Sequence, residues 1–378
     1  MLWDVAVVGG GPAGLSAAYA AARAGARTVV LEKAAHPRYK TCGGGLIGAS
    51  LAALGDRITV PADDRVDRAT FTQDGRRAFT RRHPGGPLVA MVRRDAFDRA
   101  LRDAALSAGA EVRENVTVRG LSESGDAVEV RHGNGTRTLA RAVVGSDGSS
   151  GVTSRYVGVR YAQVDLGLEV ELPVSGARAE AWAGRMLLDW GPVPGSYGWV
   201  FPKGDRLTVG VIAERGRGEE TKRYLRRFVG RLGLSGIEPV QDSGHLTRCR
   251  ASDSPLHRGR VVVAGDAAGL LEPWTREGIS FALRSGALAG AAAAAGDQAG
   301  YESAVVSTLG PEMRAGRELL AAFTRRPTVF HALLATPPGW RMFARFCLGE
   351  ASFAGALGKP AIGAAVRALA GRGGAPRA

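Results

Sequence analysis

Three acids, each at the end of an apolar run, are the side chains of this sequence best placed to hold a polyhydroxylated ligand. The first closes the stretch that organises the chain. Val5-Ala6-Val7-Val8 enters the turn Gly9-Gly10-Gly11-Pro12-Ala13-Gly14, an alanine-rich segment runs to about Ala24, and a second apolar run, Thr28 to Leu31, ends on Glu32. Strand, glycine turn, helix, strand and acid in that order have the parts a dinucleotide needs. Gly9 allows the tight turn, Gly11 lets the backbone approach a pyrophosphate, and Gly14 lets helix and strand pack closely. The helix opening at Pro12 and Ala13 turns its positive end to the pyrophosphate, and Glu32 is placed to accept hydrogen bonds from the adenosine ribose. The motif alone does not separate a flavin from a nicotinamide dinucleotide.

The second acid follows Ala142-Val143-Val144-Gly145-Ser146 as Asp147-Gly148, and the third follows Val261-Val262-Val263-Ala264 as Gly265-Asp266. Strand ends of this kind are where α/β sheets bind ligands. Between the first and second acids runs Cys42-Gly43-Gly44-Gly45. Three successive glycines cost conformational entropy, so close backbone approach is expected there. The stretch Tyr197-Gly198-Trp199-Val200-Phe201-Pro202-Lys203 puts three aromatic rings on one face of a strand, as core or as the wall of an apolar pocket.

The elements that must position these groups follow from periodicity. A helix is expected from Arg94, with Phe97, Leu101, Ala105 and Ala108 on its apolar face and Gly109 at its end. Glu111 to Val118 reads as a strand, and Ala127 to Leu139 as a hairpin turning at Asn134-Gly135. Residues 160–213 alternate with period two and predict an antiparallel sheet. Glu219 to Leu232 predicts a helix, and a long alanine-rich helix is expected from Ile279 to about Ala295. The tail from Tyr301 is helical, punctuated by prolines. It carries Trp340, Phe343 and Phe346 among Arg341 and Arg345, a face suited equally to lipid and to packing on the body.

Composition narrows the classes. The 378 residues carry a formal charge of +14, but arginine outnumbers lysine 45 to 5 and is dispersed, which argues for coding bias over a nucleic-acid surface. Attraction to an anionic membrane surface stays open. No eighteen-residue apolar run lacks charge, and the first strand starts almost at once, so a cytoplasmic protein without spanning helix or signal peptide is expected, with peripheral membrane contact as a variant. Cys42, Cys249 and Cys347 have neither disulfide nor metal-ligand spacing, and no metal is expected.

Taken together these stretches resemble FAD-dependent oxidoreductases of the para-hydroxybenzoate hydroxylase type and, within them, the geranylgeranyl reductase family. The superfamily's three motifs stand here as Gly9 to Gly14, Asp147-Gly148 and Gly265-Asp266. Cys42-Gly43-Gly44-Gly45-Leu46 resembles the family's Cys-Gly-Gly segment beside the flavin, Tyr197-x-Trp199-x-Phe201-Pro202-Lys203 its aromatic motif, and Leu270 to Ile279 its Pro…Glu-Gly-Ile pattern. The resemblance implies an α/β fold: a Rossmann-like FAD-binding domain of the glutathione reductase type, an antiparallel-sheet substrate domain and a helical C-terminal region. The implied division is 1–70, 90–158 and 245–300 for FAD, 71–89 and 159–244 for substrate, and 301–378 for the tail. FAD would be held by Gly9, Gly11, Pro12, Ala13, Gly14, Glu32, Lys33, Cys42, Gly43, Gly44, Arg94, Asp147, Gly265, Asp266, Gly278 and Ile279. Cys42, Tyr197 and Trp199 would serve catalysis, and Tyr197, Trp199, Phe201 and Arg276 would line the substrate pocket. One departure stands out: the family usually has glycine where Arg276 stands.

The implied reaction is reduction of carbon–carbon double bonds in a prenyl or related apolar substrate by hydride from reduced flavin. No second glycine fingerprint marks a nicotinamide domain, so electrons would come from transient NAD(P)H docking or from a protein donor such as reduced ferredoxin. A flavin monooxygenase hydroxylating or epoxidising an aromatic or polycyclic metabolite shares all three cofactor motifs. A halogenase is disfavoured, since its W-x-W-x-I-P signature is only half echoed at Trp199. A FAD-binding carrier that never turns its lipid over is the non-enzymatic alternative.

Overall fold

The computed structural model describes residues 1–371. The expected helical tail is therefore seen to Ala370 (its last helix is Pro360–Ala370), and residues 372–378 lie outside the described residues.

The strand Leu2–Val8 is the centre of an eight-stranded sheet because its apolar run is buried on both faces. Thr28–Leu31 and Arg137–Gly145 flank it in parallel, with Glu111–Arg113 beyond the first and Val261–Val263 beyond the second, also parallel. Parallel alignment brings the strand ends at Val8, Leu31, Gly145 and Val263 to one edge, and so gathers Glu32, Asp147 and Asp266 there. The run expected as one strand from Glu111 to Val118 is broken: it stops at Arg113, and a new strand, Val118–Ser124, pairs with the hairpin's first strand, Ala127–His132. Asn115 between them adopts a positive φ of 60°, which a continuous strand excludes.

The helix Pro12–Arg23 packs on the helix Ile279–Ala295 through its small residues. A Cβ on Gly286 would strike the carbonyl of Ala13, and one on Gly290 that of Ala17. Ser16 Oγ donates to the Leu283 carbonyl at 2.8 Å across the same contact. The alanine and glycine of both helices are thus a packing requirement that brings their backbones together.

A seven-stranded sheet holds Gln241–Arg250, Tyr161–Pro173, Arg206–Glu214, Tyr197–Pro202, Arg185–Trp190, Arg68–Gln73 and Arg76–Arg82, in that order. Every neighbouring pair is antiparallel except Arg185–Trp190 with Arg68–Gln73, which run parallel; the sheet is mixed where a purely antiparallel one is expected. Its edge strand reaches Arg250, so the boundary expected at 244 falls inside a strand. Gly45–Leu46, Val89–Val92 and Ala62–Val66 form a small third sheet.

Beyond Gln298–Thr308 and Gly310–Arg325 come Pro327–Ala335, Pro337–Cys347, Phe353–Leu357 and Pro360–Ala370. Four of these six helices carry proline in their first turn, where its missing N–H costs nothing. The prolines that punctuate the sequence therefore start helices. Trp340 stacks on Phe343 at 5.6 Å between ring centroids, and Phe343 meets Phe71 of the sheet edge-on at 5.1 Å. Of the two expectations for this segment, the rings pack on the body. Among the described residues no helix is long and apolar enough to cross a membrane.

Candidate active site

The glycine turn is enforced by contact. A Cβ on Gly14 would overlap the carbonyl oxygen of Gly9, and Gly9 itself has a φ of 103° against the backbone of Ser146 and Asp147. Gly11 is different. The atoms nearest to a Cβ there are Arg38 Nη2 at 3.9 Å and Arg94 Nη2 at 4.0 Å. The space before this helix N-terminus is therefore open and bounded by two guanidinium groups, the donor set a pyrophosphate requires.

Both arginines are held by Asp98, which is fully buried. Arg94 grips it in two bonds of 2.9 Å, and Arg38 Nη1 approaches at 3.2 Å. Burial works against the Arg94 charge, but Asp98 outweighs it and the net direction is upward, so Arg94 stays cationic. Glu32 accepts from the Gly10 N–H and, at 3.1 Å, from Ala34 N–H. It lies on the cavity described below, as do Lys33, Pro12 and Ala13.

The other two acids play unequal parts. Asp147 spends its carboxylate on capping the helix Val152–Val157: Oδ2 accepts from Val152 N–H at 2.7 Å and Thr153 N–H at 3.2 Å, and Oδ1 from the Thr153 hydroxyl. Burial nevertheless raises its pKa. Asp266 faces the cavity, with His245 Nε2 3.5 Å away. Burial opposes its charge, but His245, Lys40 and Arg94 outweigh that and hold its pKa down. Gly265 fits against Ala13, where a Cβ would come within 2.8 Å of the Ala13 methyl.

At the long helix, Gly278 precedes Ile279 and Glu277 caps the N-terminus, accepting from Ser280 N–H at 2.8 Å and from the Ser280 hydroxyl. Burial raises the Glu277 pKa. A carboxyl thus already occupies the capping position at this helix end.

The glycine run and the aromatic strip explain one another. A Cβ on Gly43 would come within 2.9 Å of the Phe201 ring and 3.4 Å of Trp199 Nε1, and one on Gly44 (φ 74°) would strike the Val92 carbonyl. Cys42 N–H donates to Glu169 at 2.8 Å. Tyr197, Trp199 and Phe201 follow one another at 6.0 and 6.4 Å between centroids, all on the cavity. Trp199 Nε1 is buried with no acceptor among the described residues, a leftover donor in the wall. Burial raises the Tyr197 phenol, whose hydroxyl donates to the Thr275 carbonyl.

Arg276 has a φ of 56°, the left-handed region in which glycine is free and a side chain costs about 1–2 kcal/mol. That explains glycine there in the family the chain resembles. The arginine is held by bonds: Nε reaches Asp165 Oδ2 at 3.1 Å, Nη2 reaches Oδ1 at 3.3 Å, and Nη1 donates to the carbonyls of Trp274 (2.6 Å) and Gly195 (3.2 Å). Asp165 also accepts from Gln163 at 2.7 Å. Arg276 lines the cavity, yet its guanidinium is committed to this network.

One cavity of about 1470 Å³ joins all of these parts. Gly9, Gly11 and Glu32 lie on it, as do Cys42 and the aromatic strip; it continues among Phe343, Phe346, Leu357 and Val366 of the C-terminal helices. Sequence reasoning missed Arg38, Asp98, Asp165 and Glu169. None sits in a glycine motif, and only the fold brings them to the site.

Comparison with known proteins agrees with this geometry. Residues 3–295 match the FAD binding domain family. A geranylgeranyl diphosphate reductase from Oryza sativa is 30% identical over 85% of this chain and 71% of its own length. The chain belongs to the geranylgeranyl reductase family of FAD-dependent oxidoreductases. It is also 31% identical to a menaquinone reductase of Mycolicibacterium smegmatis, over 80% of this chain and 78% of the relative. A digeranylgeranylglycerophospholipid reductase of Methanocella arvoryzae is 30% identical over 76% of each chain. Among solved structures, a geranylgeranyl bacteriochlorophyll reductase-like protein from Thermoplasma acidophilum shares the fold at a TM-score of 0.75 and 24% identity, over 85% of this chain and 88% of the other. A flavin-dependent brominase shares it at 0.76 and 17%, over 97% of this chain and all of the other. The protein is an FAD-dependent oxidoreductase of mixed α/β fold with a helical C-terminal region.

Proposed function

We propose that this enzyme reduces carbon–carbon double bonds in a prenyl chain or a related apolar substrate. The observation that carries this reading is the continuity of the cavity: the dinucleotide cradle opens past the aromatic strip into a chamber of apolar side chains from the C-terminal helices. A long hydrocarbon fits such a chamber by burial of its surface, at roughly 25 cal/mol per Å². Reduced FAD, when bound, supplies the hydride.

Gly9, Gly11, Pro12, Ala13, Gly14, Glu32, Lys33, Arg94, Asp266 and Gly265 hold the cofactor in this reading, with Arg38 beside Arg94 at the pyrophosphate. Asp147, Gly278 and Ile279 shape its pocket. Cys42, Gly43 and Gly44 lie along the ring, Cys42 packing against it. Tyr197, Trp199 and Phe201 wall the substrate and exclude water from the reacting carbons. Arg276 positions the loop between Glu272 and Gly278 in place of binding a headgroup. Electrons come from NAD(P)H docking transiently or from a reduced ferredoxin.

The test is anaerobic. The flavin is reduced with dithionite, geranylgeranyl lipid or menaquinone is added in detergent, and spectrum and product mass are followed together. Reoxidation with a product two mass units heavier per turnover is the expected result. A flavin that waits for air, and a product that gains oxygen, would favour the monooxygenase instead.

A further inference from the structure

We propose that Glu169 donates the proton of the reduction and is refilled from solvent through Tyr39, an inference that rests on the alkene-reductase reading above. Adding hydrogen across a double bond consumes one hydride and one proton. The flavin gives the hydride to one carbon. The π electrons take a proton from the Glu169 carboxyl at the other carbon and leave a carboxylate. Glu169 recovers its proton from the Tyr39 hydroxyl as that hydroxyl takes one from water.

The choice of Glu169 comes from the bonds each carboxyl at the cavity already makes. Asp147 and Glu277 spend both oxygens on helix caps, while Glu32 and Asp266 belong to the cofactor cradle. Glu169, on the strand Tyr161–Pro173, is 2% exposed and lies on the cavity next to Cys42. Its Oε1 accepts from Cys42 N–H at 2.8 Å and from the Tyr39 hydroxyl at 2.9 Å. Its Oε2 has no hydrogen bond to protein among the described residues.

A path to water stands at the same carboxyl. Tyr39 is 45% exposed. Its hydroxyl also lies 3.0 Å from Ser243 Oγ, which accepts from the Thr41 hydroxyl at 3.0 Å. One buried carboxyl, one half-exposed phenol and two further hydroxyls thus link bulk solvent to the cavity in two transfers. Around Glu169 the charged and titratable groups include Lys203 and Glu171 from the sheet side and Tyr39, Lys40 and the Cys42 thiol from the loop. Lys203 Nζ is tied to Glu171 Oε1 and to the Cys42 carbonyl, both at 3.3 Å. Burial raises the Glu169 carboxyl, Lys203 and the bonds from Tyr39 and Cys42 lower it, Glu171 raises it, and the net direction is upward. Burial likewise keeps the Tyr39 phenol protonated.

Glu169→Gln keeps both acceptor bonds and removes the proton. In anaerobic single turnover it should slow alkene reduction about 10²- to 10⁴-fold, the usual contribution of a general acid, with flavin content and dithionite reduction unchanged. Tyr39→Phe, at an exposed position, should leave the first turnover intact and slow later ones about tenfold, since only refilling is lost. Infrared titration of the oxidised holoprotein should show a protonated-carboxyl band that disappears as pH rises and is missing from Glu169→Gln. A Glu169→Gln protein that reduces alkene at the wild-type rate, or loses no such band, overturns the donor role alone. A wild-type protein that reduces no alkene overturns the reductase reading and the donor with it.

Discussion

The glycine-walled half of the cavity, the cradle in which we place the cofactor, and its apolar chamber are built on opposite rules. In the cradle the decisive feature is what is missing: Cβ atoms at Gly9, Gly14, Gly286 and Gly290 would meet backbone. In the chamber it is what is present, large side chains such as Phe343, Phe346 and Phe353 that reach in from helices far along the chain. Trp274 shows how the halves join. It belongs to the loop ahead of the Ile279 helix and packs on Phe323, Phe330 and Phe353 at 5.3 to 5.7 Å. Backbone contact tolerates no substitution, while side-chain packing tolerates exchange at the right volume.

That contrast can be broken most severely at Gly14. Gly14→Ala forces a methyl into the Gly9 carbonyl, so the turn must open, and purified protein should carry essentially no flavin by absorbance. A variant with full flavin content would contradict the packing argument.

Asp98→Ala comes next. It leaves two partly buried arginines without their shared partner, a loss of at most about 3–5 kcal/mol in unfolding free energy because water still reaches both guanidinium groups, together with weaker FAD binding. Urea melts with and without added FAD separate the two effects.

Arg276→Gly relieves about 1–2 kcal/mol of left-handed strain but strands Asp165, which costs about 3–5 kcal/mol, so the variant should be net less stable. Adding Asp165→Asn should recover most of the loss. Equal stability of the single variant and the wild type would mean the ion pair contributes nothing.

The smallest effect sharpens the picture at the joint between the halves. Burial pushes the Glu272 carboxyl up to about 7, against its ordinary 4.5. The folded protein then binds a proton more tightly than the unfolded chain in this window. The contribution is full below about 4.5 and is lost as pH rises toward 7, at most about 3 kcal/mol. Chemical denaturation across that range should show stability falling with pH, and Glu272→Gln should flatten the slope.

What was legible in the sequence follows the same division. The strand, turn and helix from Val5 to Arg23, the hairpin at Asn134-Gly135 and the helix from Ile279 to Ala295 all rest on local pattern, and the structure has each of them. The break at Asn115 and the parallel pairing of Arg185–Trp190 with Arg68–Gln73 depend on distant partners, so no local signal marks them. The tail's prolines were visible, but their part in starting the helices of an apolar wall needed the fold. Arg276 was visible as an anomaly; its φ and its partner Asp165, more than a hundred residues earlier, were not.

The central claim is that cradle and chamber share one space, so that an apolar chain reaches the flavin through the chamber. Leu188 lines the cavity and pairs across the sheet with Trp199. The direct measurement is the change in the bound flavin's absorbance spectrum as geranylgeraniol is titrated into wild-type and Leu188→Trp holoprotein. The account predicts a saturable shift in the wild type and its loss in the narrowed variant, with flavin content equal in both. A shift of the same size and midpoint in Leu188→Trp would mean that the chain reaches the flavin by another route, and the continuous cavity would no longer explain the chemistry.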